Sequence, residues 1–477
     1  MSAPIVWILI PLVVGLVLYV IRRREGLVFI IGVTLSLILA IFAWFQPINE
    51  TYRLGSFSLQ LVDSFSVLGR RFVLQPEKAP ILVLIYLGVA FWFGGALVAR
   101  TSRLFIPVGL VISALVTAAL AVEPFLFAAL LIEIAAIVCI PLLSPPGHAM
   151  DRGSIRFLVY QTLSMPLILF TGWLLAGAEV SPDDSALVLR SGVLLAIGFS
   201  FLLAIFPFHT WMPMVTEKAN LYVVAFIFYI FPLIVTLFGL GFLDQYAWLR
   251  GSDSLYIMLS WTGIFMVIAG GIGAAFDQYL GRMMAYAMVV EIGVTLLTLS
   301  LIGDQPGSLT LLGVFFASLF PRGLTLGLIA LAIIVISRSS PNDPQHQRYQ
   351  LGDYEGIALR YPIAASLIIL CLFSMAGFPL LAGFPVRLAL WQGLSAQSLI
   401  LVVLSMLGSV GLIIAGLRTL VVFVSGKDQE GWHVEEKRPE GILLVLGAVA
   451  LFIVGLFPQV ILPALSSMAS MFVNLGG

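Results

Sequence analysis

Apolar runs, each near the length a helix needs to cross a bilayer, recur along the whole chain. A helix spans the hydrocarbon core with about 20 such residues. Runs of this kind lie near 4–21, 27–45, 79–98, 104–122, 124–143, 156–176, 186–206, 221–242, 255–275, 283–302, 308–337, 362–384, 397–424 and 441–463. The pattern predicts an all-α polytopic membrane protein of about fourteen transmembrane helices. The eleventh run is too long for one straight helix, and Pro321 interrupts it. Residues 46–78 form the longest polar-leaning insert. There the period-two segment Gly55-Ser56-Phe57-Ser58-Leu59-Gln60-Leu61 suits a short hairpin at the membrane surface. The first run has no basic region before it and no small-residue cleavage signal after it, so it reads as a retained span.

Composition strengthens the membrane assignment. Of 477 residues, 61% are hydrophobic and 10% charged, against about 45–50% and 25% in ordinary soluble domains. The 24 basic and 24 acidic residues cancel, which leaves no field for nucleic acid. Cys139 and Cys371 both lie inside apolar runs and read as small core residues; no metal-ligand spacing is present. Lys and Arg in the short loops set orientation. With Arg22, Arg23 and Arg24 placed in the cytoplasm, fifteen basic residues fall on that side, six on the other and three inside spans. Both termini then face outward. His148, His346 and His433 fall in loops, as do all four lysines.

Two spans look broken in the same way. The seventh ends Phe206-Pro207-Phe208-His209-Thr210-Trp211-Met212-Pro213, and the twelfth carries Phe378-Pro379-Leu380-Leu381-Ala382-Gly383-Phe384-Pro385. In each, a second proline follows the first by six residues, so Pro207 and Pro213 match Pro379 and Pro385. An odd number of spans separates the two motifs, so two repeats of one unit would lie inverted in the bilayer. Matched, Pro-interrupted helices of this kind point to transport architecture. Charges inside spans are the second signal, since each costs at least about 2.5–3.5 kcal/mol at a helix centre. Glu133 lies in the fifth span and Glu291 in the tenth; Arg322, Arg387 and Arg418 follow on the next three. The acids are candidates for carrying protons, or for pairing with an arginine to hold the bundle. His209, the one histidine near a span, has an ordinary pKa of about 6.5 suited to proton exchange, and it could equally tie the broken backbone together.

These residues resemble the antiporter-like, proton-translocating membrane subunits shared by respiratory complex I, Mrp-type Na⁺/H⁺ antiporters and membrane-bound hydrogenases. Pro207 to Pro213 is similar to that family's PFHxWLP. Asp277-Gln278-Tyr279-Leu280-Gly281-Arg282-Met283-Met284-Ala285-Tyr286 is like its D-x-K-R-x-x-A-Y, and Leu351-Gly352-Asp353 through Arg387 is like its LGGL…P…GxPPxxGFxxK. Glu133 falls where the family places its fifth-helix glutamate. The resemblance implies two inverted five-helix repeats. Helices one to three with the hairpin insert would occupy 1–103, the repeats 104–242 and 255–424, and a loop with the last helix 425–477. It implies one subunit of a larger complex beside sibling antiporter-like subunits, moving H⁺ or Na⁺ in a prokaryotic-type cell membrane. FMN, iron–sulfur clusters and quinone would sit on partner subunits, with no cofactor, metal or redox chemistry in this chain. The end of the chain soon after the fourteenth span argues against a distal subunit with a lateral helix.

Departures from the family are as clear. Leu202 stands where the seventh-helix lysine is expected, Ser318 and Arg322 where the eleventh helix has histidine and lysine, and Arg387 where the twelfth has lysine. Glu291 replaces a histidine often found in the tenth. A buried lysine can lose its proton, whereas arginine keeps it at any working pH. Two readings follow. In one, protons enter near His209 and move by water past Glu133 and Glu291, with Arg322 and Arg387 as fixed gating charges. In the other, the chain is a non-conducting structural subunit. An Mrp-type antiporter subunit and a free-standing transporter are further alternatives.

Overall fold

The computed structural model describes residues 2–46, 48–49, 51–54, 57–67, 69–144, 150–180, 185–303, 308–339, 349–425 and 433–475. His148, His346, Arg348 and Lys427, assigned to loops from the sequence, lie outside the described residues. After a π-helical turn at Ile5–Leu9 the chain forms α1 (Ile10–Val20), α2 (Glu25–Phe45), α3 (Ala79–Gly94), α4 (Phe105–Ala121), α5 (Ala128–Leu143), α6 (Arg152–Val180) and α7 (Ser185–Leu202). Then come α8 (Trp211–Val215), α9 (Leu221–Gln245), α10 (Ala247–Arg250), α11 (Asp253–Phe276), α12 (Leu280–Ser300) and α13 (Ser308–Ile336). The last are α14 (Pro362–Ala376), α15 (Phe384–Gln397), α16 (Leu399–Val424), α17 (Arg438–Leu456) and α18 (Pro458–Ser466). Among the described residues, ten helices are long and apolar enough to cross a membrane, and Ile5–Val20, Phe105–Ala121 and Ala186–Leu202 are shorter apolar helices. Each apolar run read from the sequence overlies a helix.

Three details differ from the sequence reading. The insert after α2 holds two hairpins. The strand β1 (Thr51–Leu54) pairs with β2 (Phe57–Gln60), and β3 (Ser64–Val67) pairs with β4 (Arg70–Val73), which takes β5 (Val122–Glu123) on its other edge. The helix α13 runs unbroken through Pro321 for about 44 Å. Buried neighbours can re-satisfy freed backbone groups, and nearly all of α13 is buried. The fourteenth run is two helices, because Phe457 leaves the helical region ahead of Pro458.

The chain has two compact units. The first comprises Met1–Phe208, Ile230–Leu249 and Ser470–Asn474. In it α1 packs on α4, α2 on α3, α5 on α4 and α6, and α6 on α7. The second comprises His209–Tyr229, Arg250–Ala469 and Leu475–Gly477. There α11 packs on α12 and α16, and α14 packs on α13, α16 and α17. Small residues let backbones approach, as membrane helices favour: a Cβ at Gly271 of α11 would lie 2.6 Å from Gly408 Cα of α16. Arg418 donates to Ala275 O and, at 3.0 Å, to Asp277 O, so this intramembrane charge caps the C-terminal carbonyls of α11.

Candidate functional site

The second unit gathers three of the charges singled out by sequence. Glu291 on α12 stands between two arginines. Arg322 Nε of α13 donates to its Oε2 at 3.1 Å, and Arg387 Nη2 of α15 donates to its Oε1 at 2.7 Å. All three are buried, with 7%, 4% and 3% of their surface exposed. Arg322 Nη2 also donates to Thr295 Oγ1 (2.7 Å), Glu291 O (3.2 Å) and Ser318 Oγ (3.5 Å). Arg387 Nη2 reaches Met375 O at 2.7 Å. Two guanidinium groups against one carboxylate leave the cluster with one net positive charge.

The broken helix makes this arrangement possible. α14 ends at Ala376, Gly377 turns left-handed at φ 79°, and α15 begins at Phe384. A Cβ on Gly377 would stand 2.5 Å from Arg387 Cγ, and one on Gly383 would stand 1.9 Å from Ser374 O. Glycine is therefore required at both positions: one lets the arginine stem pass, the other lets the returning chain lie against α14. Carbonyls freed by the break, such as Met375 O, become acceptors for Arg387. Backbone irregularity at membrane depth is tolerated where it is buried or lines a cavity, and here it does both. A cavity of about 20 Å³ is lined by Glu291, Ser318, Arg322, Thr325, Ser374 and Arg387, among others. That is space for roughly one water molecule. Val386 also lines a larger groove of about 400 Å³ formed with Gly313, Ala317, Ala389 and the residues of α18 that face them.

The other candidates lie elsewhere. Glu133, on α5 of the first unit, is 8% exposed and hydrogen-bonds to the Thr162 side chain on α6. Neighbouring positions of α5 form an open face, with Leu130 at 38%, Ile134 at 37% and Ile137 at 50% exposure. Leu202, at the position assigned to lysine, is buried at the end of α7. Beyond it Ala204 adopts φ 53° and the Phe206–Pro207 bond is cis. Pro207 lies in this break; His209 occupies the 3₁₀ turn Phe208–Thr210 and Pro213 lies within α8. Pro379 lies in the second break and Pro385 in the first turn of α15. His433 is exposed. Among the described residues no three His, Cys, Asp or Glu side chains gather as a metal site.

Sequence reasoning singled out the charges but not their polar shell of Thr295, Thr325 and Ser374. A signal for part of it was present. Thr295 follows Glu291 by four residues and Ser318 precedes Arg322 by four, so each pair shares one helix face.

Residues 174–412 match the family described as NADH:quinone oxidoreductase/Mrp antiporter, TM. The chain is 26% identical over 351 residues to NADH-quinone oxidoreductase subunit N of Desulforamulus reducens, covering 69% of each chain. It is 27% identical over 346 residues to the chloroplastic NAD(P)H-quinone oxidoreductase subunit 2 of Mesostigma viride, covering 64% of each. Its fold is similar to a chain of the Mrp complex from a Dietzia species (TM-score 0.80, 17% identity, 100% of this chain and 99% of that one). A chain of respiratory complex I from Thermus thermophilus is also similar (TM-score 0.75, 19% identity, 99% and 100%). So is one of an archaeal membrane-bound sulfane sulfur reductase (TM-score 0.81, 16% identity, 100% and 98%).

Proposed function

Because the chain belongs to the NADH:quinone oxidoreductase/Mrp antiporter membrane family, we propose that it is an ion-translocating subunit of a multi-subunit complex of the NADH:quinone oxidoreductase type. It moves H⁺ or Na⁺ across a prokaryotic-type cell membrane beside sibling antiporter-like subunits, both termini outward. FMN, iron–sulfur clusters and quinone belong to its partners. The two breaks support reading residues 104–242 and 255–424 as inverted repeats, flanked by 1–103 and 425–477.

The observation that carries this reading is the Glu291–Arg322–Arg387 cluster, buried beside a water-sized cavity where a helix breaks. Buried charge at membrane depth is expensive and marks ion routes. The arginines keep their protons, so they act as fixed positive charge that repels a cation, and Glu291 is the member that can exchange contacts. Moving one charge through 100 mV is worth about 2.3 kcal/mol, comparable with a single hydrogen bond to a charged group at about 1.5–3 kcal/mol. A driving force of that size is enough to trade one Glu291–arginine contact for another. Val386 lines both the cavity beside the cluster and the larger groove, and it is assigned the gate between them. Glu133 and His209 are assigned proton-handling roles.

Arg387→Lys tests the fixed-charge role. Burial can discharge lysine but not arginine. Ion flux through the reconstituted complex is expected to gain a pH step: the variant couples at low pH, where the lysine is charged, and loses coupling as rising pH discharges it. Superimposable pH profiles for variant and unaltered complex would contradict the role.

A second reading, a non-conducting brace, is favoured by Leu202 and by the closure of the cluster's hydrogen bonds within the protein. Under it, changes to the cluster alter stability and leave ions moved per electron untouched.

A further inference from the structure

We propose that the groove between α14 and α17 binds an anionic phospholipid, with an acyl chain along the groove and the phosphate against Arg438 and Lys437. The groove holds about 360 Å³ and is lined by Ile363, Leu367 and Leu370 of α14 and by Val445, Val449 and Phe452 of α17. Its one hydroxyl, Ser366 Oγ, is already engaged with Pro362 O at 2.8 Å and Ile363 O at 3.0 Å. The walls therefore offer a ligand hydrocarbon contact and little else. From Val445 to Phe452 the groove runs about 10 Å along α17, roughly two thirds of the depth of one leaflet of a 30 Å core.

Charge decides what sits at its head. Both helices start at this end: Ala364 N of α14 donates to Glu436 Oε1 at 2.7 Å, and a Cβ on Gly441 would lie 3.3 Å from Ile363 Cδ1. Arg360 forms a forked pair with Glu435 at 2.9 and 3.0 Å, and Arg338 pairs with Glu440. Glu436 is spent on capping α14. Burial pushes its carboxyl above the ordinary range, the N–H groups of Ala364 and Ile363 oppose this, and Glu440 adds to the rise. Lys437 and Arg438 are exposed, and neither forms a salt bridge with any of the described residues. Arg438, Gly441, Val445, Val449 and Phe452 recur at helical spacing on one face, which puts Arg438 directly above the groove. Two exposed cations with no salt bridge among the described residues, above a hydrocarbon slot, complement a phosphate carrying an acyl chain.

The test uses the native complex in nanodiscs of equal parts phosphatidylglycerol and phosphatidylcholine, with retained lipid counted by native mass spectrometry after detergent extraction. Two surface cations, each contributing about a factor of five, predict a preference of about twenty-five-fold for phosphatidylglycerol. Lys437→Gln/Arg438→Gln should abolish that preference. Val445→Trp, which fills the groove and keeps the charges, should reduce retention of both lipids. Equal retention of the two lipids by the unaltered complex, a preference unchanged in the double variant, or a neighbouring subunit's helix found in the groove would overturn the assignment.

Discussion

Glu291→Gln is expected to destabilise the protein by about 3–5 kcal/mol, the cost of removing one partner from a buried ion pair. Glutamine matches glutamate in shape, so the loss is electrostatic: Arg322 and Arg387 are left with two charges and no counter-ion. The adjoining cavity holds about one water, which cannot solvate both guanidinium groups. Thr295, Ser318 and Met375 O remain as neutral acceptors and soften the effect without cancelling it. Adding Arg387→Gln removes one of the stranded cations and restores the net charge of the native cluster. The pair Glu291→Gln/Arg387→Gln should therefore be more stable than Glu291→Gln alone, as thermal unfolding of the purified complex would show. Equal loss in both would mean that shape, and not charge, holds the site together.

Glu133→Gln should behave in the opposite way. The amide keeps the hydrogen bond to Thr162, and no salt bridge to Glu133 is present among the described residues, so stability should hardly move. Transport is where the loss falls. An amide cannot take up and release a proton at working pH, and removing a positioned proton-handling group costs at least roughly a hundredfold in the step it serves. Ion flux in proteoliposomes should drop on that scale with electron transfer retained. Flux equal to that of the unaltered complex would remove Glu133 from the route and leave its carboxyl as a bond to α6.

Much of this architecture could be read from residue order, because a membrane enforces it. Apolar runs of the right length must become helices, and the Phe-Pro motifs mark where helices cannot continue. The individual charges were equally legible, since Glu291, Arg322 and Arg387 interrupt hydrocarbon. Their convergence was not. Arg322 lies 31 residues from Glu291 and Arg387 lies 96 away, and periodicity along one helix says nothing of contacts between helices. Arg418 shows the same limit from the other side: it too is an arginine inside an apolar run, yet it caps α11 outside the cluster. Pro321 misled because tertiary packing can carry a helix through a proline. The division of the apolar run 441–463 at Phe457 was hidden because Pro458 sits in hydrophobic sequence on both sides.

The most direct test of the central claim is the number of ions moved per electron by the reconstituted complex carrying Glu291→Gln/Arg387→Gln. This pair keeps the cluster's net charge and removes its one exchangeable acid. A complex that still transfers electrons but moves fewer ions for each is the predicted result. A ratio identical to that of the unaltered complex would contradict it and leave the cluster as a brace.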